Sequence, residues 1–196
     1  MLKGYRVSIA PEVIIKSLSD QQLVEQAKLG NSQAYGEIYT RHRHTVFDYS
    51  LRLVKEDEAA KDIVHETFLR MHSSLDGMRN GVVLRVWLLS IARNIAFNFL
   101  RKNKLVQPLI EELESDDESP FEILVRDERE RTVRHLIESL SPGLRELIVL
   151  REYEELSYRE IAAVTGLSED NVKVRIYRAR KAIASELKKD MKEGML

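Results

Sequence analysis

The sequence predicts an all-α protein made of two small helical bundles joined by an acidic linker. Strand signals are nearly absent, because no long run alternates between apolar and polar residues. Apolar residues instead recur every three or four positions over most of the chain. Charge then separates the helices into two groups. From Arg79 to Lys104 there are six basic residues and no acid, and from Glu111 to Glu118 six acids and no base.

The elements follow in order. Residues 1–19 form an N-terminal extension, and the first bundle occupies 20–104. Ser19 with Gln22 reads as a capping box that opens a helix closed by Gly30. A long helix starts near Ser32, with Tyr35, Ile38, Tyr39, His42, Val46, Tyr49 and Leu53 on its inward stripe. Asp57 is the expected cap of the next helix, which turns Ile63, Val64, Phe68, Met71 and Leu75 inward. Gly77 and Gly81 bracket a loop. Another helix spans about Val83 to Asn103, with Leu84, Trp87, Leu88, Ile91, Ile95 and Phe99 on its core side.

Residues 105–120 hold two prolines and the six acids, and read as an extended acidic linker. The second bundle occupies 121–196. Helical periodicity runs from Phe121 to Leu140, and Ser141-Pro142 is an N-cap followed by proline at the first helical position. Ser157 and Glu160 form a second capping box, and Gly166 stops that helix, since glycine enters a left-handed C-cap without steric cost. Ser168 caps a final helix whose stripe is Val172, Ile176, Ala179 and Ile183. Its other faces carry Lys173, Arg175, Arg178, Arg180 and Lys181. A short helix, a glycine turn and a basic amphipathic helix make a helix-turn-helix, the arrangement that sets its second helix in the DNA major groove.

Composition narrows the remaining classes. The 196 residues are 43% hydrophobic and 32% charged, with a net charge of −1 and no cysteine. Disulfides, thiolate metal sites and cysteine nucleophiles are excluded. No apolar run reaches the length of a membrane span. Pro11 and Glu12 interrupt the stretch where a signal peptide needs continuity, so a cytoplasmic location without membrane insertion is expected.

Four segments in order carry a resemblance. They are AYGEIYTRHRHTVFDYSLRL (34–53), EAAKDIVHETFLRMHSSL (58–75), VWLLSIARNIAFNFLRK (86–102) and LSPGLRELIVLREYEELSYREIAAVTGLSEDNVKVRIYRARKAI (140–183). Together they resemble a bacterial sigma factor of the extracytoplasmic-function (ECF) group, over residues 20 to 190. The resemblance implies an alternative sigma factor that binds core RNA polymerase, directs it to promoters and assists DNA melting, with no catalytic site and no cofactor of its own. It also implies an anti-sigma factor as a partner.

Site residues follow from the same resemblance. Asp62, His65, Glu66 and Leu69 share one helical face and match the polymerase-docking segment, with His65 where the family more often has glutamine. Met78, Arg79 and Asn80 match the loop that holds a base flipped out of the minus-ten element. Arg85, Arg93, Asn94, Asn98, Arg101 and Lys102 offer further phosphate and base contacts there, and Trp87 reads as core. In the last helix Asn171, Lys173, Val174, Tyr177 and Arg178 are candidates for minus-thirty-five base edges, and Arg175 and Arg180 for phosphates. Asp170-Asn171 stands where many relatives have Gly-Thr.

Two other readings compete. One is a non-sigma helix-turn-helix regulator whose first bundle senses a ligand or dimerises. The other is a metal enzyme using His42, His44, His65, Glu66 and His72. That spacing is poor, because HETFLRMH does not place two histidines four apart as HExxH does. No metal site is expected.

Overall fold

The computed structural model describes residues 15–78, 81–106 and 128–192. Among these residues all regular structure is helical. The first half contains α1 (Asp20–Lys28), α2 (Ser32–Val54), α3 (Asp57–Ser74) and α4 (Leu84–Val106). The second half contains α5 (Glu128–Ser139), α6 (Pro142–Ile148), α7 (Tyr158–Thr165) and α8 (Glu169–Lys192). The first bundle's last helix runs two residues into the linker expected from 105 onward. Most of the linker, the start of the N-terminal extension, Arg79 and Asn80 lie outside the described residues.

Local chemistry sets most helix ends. The Ser19 hydroxyl accepts from the Gln22 backbone N–H at 3.3 Å, and the Gln22 side chain accepts from the Ser19 N–H at 2.9 Å. Each bond satisfies a donor that a helix start leaves over. Ahead of α2 the cap is Asn31, whose Oδ1 accepts from Gln33 and Ala34. Asp57 does not cap α3. Glu56 holds the cap position without a side-chain bond, and Asp57 is the first helical residue. Its carboxylate lies 2.5 Å from Lys61 Nζ one turn on, where it also complements the helix dipole.

Two inward stripes need correction. Tyr39 is 37% exposed and leans edge-on against Phe68, at the rim of the core. On α4 the buried residues are Leu84, Val86, Leu88, Leu89, Ala92 and Ala96, while Trp87, Ile91, Ile95 and Phe99 pack at the margin. The cause is contact from two sides. Helix α4 packs against α2 and α3 of its own half and against α7 of the other, so a wider arc is covered. Buried apolar residues accordingly form one cluster running from Leu23 in α1 to Ala179 in α8.

In the second half Ser141 precedes Pro142 as expected, but its side chain makes no cap bond. Helix α6 then widens into a π-helical turn, Val149–Tyr153, closed by Glu154 N–H donating to the Val149 carbonyl at 3.1 Å. Glu155 follows with φ of 52°, in the left-handed region uncommon for a residue with Cβ. The chain reverses there and enters α7 through the Ser157–Glu160 capping box, both bonds of which are present. Gly166 ends α7 at φ of 73°. Ser168 Oγ accepts from Asn171 N–H at 3.3 Å and starts α8. Val172, Ile176 and Ala179 are buried and Ile183 is half-buried, as the stripe requires.

Candidate nucleic-acid and polymerase interfaces

Three surfaces carry the candidate residues. The first is the outer face of α3. Ile63, Val64, Phe68 and Met71 are buried on one side, which leaves Asp62, His65 and Leu69 exposed together, with Leu69 at 52%. Glu66 is half-buried and sits 2.7 Å from Arg70 Nε. An exposed leucine ringed by polar groups is a contact surface in miniature: an apolar anchor with a hydrogen-bonding rim.

The second surface belongs to α4 and the loop before it. Met78 is 9% exposed; its side chain joins the core, and its carbonyl accepts from Lys28 Nζ at 2.8 Å. This corrects its expected place in the loop lining. Val82 and Val83 stand exposed in that loop instead, at 41% and 55%. The sequence signal for them was two branched apolar residues just ahead of a helix, outside any stripe. Asn94, Asn98, Arg101 and Lys102 line the outer face of α4, and Arg101 donates to Asn98 Oδ1 at 3.0 Å.

Arg85 and Arg93 are not on that outer face; both point into the seam between the halves. Arg93 Nε donates to Glu146 Oε1 at 2.6 Å. Arg85 Nη2 donates to the Glu154 carboxylate at 2.6 Å and to the Glu154 carbonyl at 2.7 Å. Tyr49 OH donates to Glu146 at 3.0 Å. Arg145 crosses the seam in the other direction and donates to the Leu53 carbonyl near the end of α2, at 2.9 Å. Arg52 lies over the Tyr153 ring, 4.2 Å from its centroid. Sequence reasoning missed Tyr49, Glu146 and Glu154 as polar partners. The visible signal was Glu146 on the apolar stretch Leu144–Leu150 and Glu154 just beyond it.

Burial shapes the electrostatics of this seam. Glu146 and Tyr49 are both buried. Desolvation pushes the Glu146 carboxyl up, opposed by the Arg93 guanidinium beside it and by the Tyr49 hydrogen bond. Tyr49 is held well above the ordinary phenol range, by burial first and by the Glu146 charge second. A carboxylate taken out of water needs partners, and Glu146 has two donors.

The third surface is α8. Asn171, Lys173, Val174, Arg175, Tyr177, Arg178 and Arg180 are all exposed, with Val174 at 48% and Tyr177 at 67%. Asp170 pairs with Lys173 at 3.3 Å. Arg180 pairs at 2.5 Å with Glu152, which lies in the π turn. Basic groups interleaved with an exposed aromatic and an exposed branched residue can meet phosphates, base edges and thymine methyls. Among the described residues no cluster of histidines and acids could hold a metal ion, and no helix is long and apolar enough to cross a membrane.

Comparison with known proteins agrees in both halves. Residues 38–106 match the family described as Sigma-70 region 2, and residues 130–183 match Sigma-70, region 4. The RNA polymerase sigma-H factor of Pseudomonas aeruginosa is 33% identical over 187 residues, covering 89% of this chain and 97% of that protein. The ECF RNA polymerase sigma-E factor of Escherichia coli K12 is 32% identical over 184 residues, covering 88% and 96%. Among solved structures, CnrH in complex with the cytosolic domain of CnrY aligns with a TM-score of 0.68 at 27% identity, over 87% of this chain and 98% of that one. The sigma factor RpoE of Bartonella quintana, in complex with the anti-sigma factor NepR, shares the fold with a TM-score of 0.62 at 22% identity, over 79% and 96%.

Proposed function

This chain belongs to the sigma-70 family, in its extracytoplasmic-function group, and from that premise we propose how its two halves divide the work. The protein is an alternative sigma factor that directs RNA polymerase to promoters. A non-sigma regulator is not favoured, because the first half matches sigma region 2 and not a sensing domain.

The halves take different tasks. Asp62, His65, Glu66 and Leu69 on α3 dock the polymerase. The loop around Val82 and Val83, with the polar face of α4, receives the minus-ten element and holds its strands apart. Unstacking a base costs a few kcal/mol, which contacts from the loop and the α4 cations offset. Helix α8 reads the minus-thirty-five element, with Lys173 and Arg178 placed for guanine acceptors and Val174 and Tyr177 for thymine methyls. The polymerase performs the chemistry.

An anti-sigma factor restrains the protein. Support comes from CnrH, the 27% identical neighbour, whose structure holds the cytosolic domain of CnrY.

The observation that carries the reading is the pairing, in one chain, of an exposed docking face on α3 with an exposed basic reading helix, α8. The test is run-off transcription with core polymerase and genomic fragments. Discrete transcripts that need this protein are expected. Transcription no better than core polymerase alone would overturn the reading.

A further inference from the structure

We propose that Asp170 and Lys173 work as one unit that reads a single C·G base pair of the upstream element, with the carboxylate on cytosine and the ammonium on guanine. The proposal rests on the reading of α8 as the minus-thirty-five helix.

Placement comes first. Asp170 is the second residue of α8. The side chains of Asp170 and Lys173 are 91% and 52% exposed. Asp170, Lys173, Val174 and Tyr177 stand three and four apart, so they share one side of the helix. Buried Val172, Ile176 and Ala179 hold the other side. Residues at the N-terminal end of a reading helix are the ones that reach base edges in the major groove. Asp170 is not needed there as a cap, because Ser168 Oγ already accepts from the Asn171 N–H at 3.3 Å. Nor does an acid suit a face that only gathers phosphates, which it would repel.

The chemistry follows from the pairing. Lys173 Nζ donates to Asp170 Oδ1 at 3.3 Å. An ammonium has three N–H donors and a carboxylate about four acceptor sites, so this bond leaves both groups with capacity for a base. An acceptor beside a donor is the complement of the major-groove edge of C·G, where cytosine N4 donates and guanine O6 and N7 accept. N4 and O6 are bonded to each other within the base pair, so two groups already in contact can meet both at once. An A·T pair with adenine against Asp170 keeps the same order of donor and acceptor. It gives the lysine only thymine O4, beside the methyl group, where guanine gives two acceptors. Reversing either pair sets the carboxylate against a keto oxygen and the ammonium against an amino group. The ranking is therefore C·G first, A·T second, and both reversed pairs rejected. Each partner also restrains the other. Lys173 cancels the repulsion between Asp170 and the flanking phosphates, and Asp170 keeps Lys173 from settling on any phosphate in reach.

The experiment uses holoenzyme assembled from the full chain and core polymerase. A genomic fragment that yields a run-off transcript supplies the promoter, and each upstream position is changed in turn to all four base pairs. Wild type is expected to prefer C·G over T·A roughly tenfold at one position. Asp170→Ala should flatten the preference at that position and leave the others intact, and Lys173→Met should flatten the same position. Asp170→Asn should exchange cytosine for adenine there, because an amide makes a bidentate contact with adenine N6 and N7. A purely structural role for Asp170 would lower binding equally on every sequence and could not exchange one base for another. Identical preferences in wild type and Asp170→Ala at every position would overturn the proposal. Two further variants separate the causes of failure. If Tyr177→Ala or Arg178→Ala alters upstream preference while Asp170→Ala does not, only the paired reading is refuted. If no substitution on α8 alters any upstream preference, the assignment of α8 to that element falls, and the proposal with it.

Discussion

Tyr49 and Glu146 lie 97 positions apart in sequence and share a hydrogen bond of 3.0 Å in the buried seam between the two halves. The phenol sits in α2 of the first half, and the carboxylate in α6 of the second. Each is costly to bury alone, and each makes the other tolerable. Replacing Tyr49 by phenylalanine removes the donor and keeps the ring. The folded chain should lose about 1–3 kcal/mol, the usual effect of leaving a buried charged acceptor short of a donor. Urea denaturation followed by far-UV dichroism measures it, and an unchanged midpoint would mean that Arg93 alone satisfies Glu146.

The α3 face gives a prediction about partners. Asp62→Arg combined with Glu66→Arg should abolish binding to core polymerase while both halves stay helical. Asp62 is exposed and Glu66 is tied only to Arg70 on its own helix, so the fold has little stake in either. Retained transcription by the double variant would remove this face from the docking assignment.

Specificity in α8 can be separated from anchoring. If Arg178 reads a base, Arg178→Ala should weaken promoter binding by roughly 1–3 kcal/mol and relax preference at one upstream position. Comparing matched with scrambled upstream elements decides the matter. Equal losses on both would make Arg178 a phosphate contact.

The turn of the helix-turn-helix depends on Gly166. Nothing lies within 4 Å of where a Cβ would stand, so the cost of Gly166→Ala comes from the backbone alone, at φ of 73°. About 1–2 kcal/mol is expected, or a melting temperature lower by roughly 2–8 °C. Gly166→Asn should cost less, because asparagine tolerates the left-handed region better.

Acid should weaken the first half through His42. Its Nε2 lies 2.9 Å from Asp20, and burial holds the imidazole below its ordinary value despite that carboxylate. The folded protein therefore binds the His42 proton less readily than the unfolded chain. This contribution is complete above the unfolded value of about 6.5 and is lost as pH falls through the folded value. Urea midpoints at about pH 7.5 and about pH 5.5 should differ less in His42→Gln than in wild type. An identical pH response in both proteins would place the sensitivity elsewhere.

What could be read from the sequence was what the chain encodes within one or two helical turns. Ser19 with Gln22, Ser157 with Glu160, and Gly166 announced themselves because cap and partner are three residues apart or a single residue suffices. The α3 and α8 faces were legible for the same reason, since their buried stripes leave the opposite sides outward. In the sequence Arg85 and Arg93 read as phosphate and base contacts for the minus-ten element. Their acidic partners lie 69 and 53 positions away, in α6 and just after the π turn, a pairing that only the packing of the two halves creates. The packing of α7 on α4, beside α2 and α3, also widens the covered arc of the α4 stripe. Met78 followed its apolar character into the core, where loop position had suggested the surface. The π turn left no periodic trace in a run as apolar as Leu147–Leu150.

That π turn is a matter of phase. Eight residues along an uninterrupted α-helix leave two side chains about 80° apart. The one extra residue that a π turn absorbs takes back nearly all of that angle. Glu146 and Glu154 thereby come to face the same neighbour from either end of the turn. The alignment rests on how many residues stand between the two acids, more than on which residues they are. Losing a single residue from 149–153 would leave every charged group of the seam in the sequence and turn Glu154 away from Arg85. In this protein the spacing between acids is itself a structural quantity, one that substitution by substitution would never reveal.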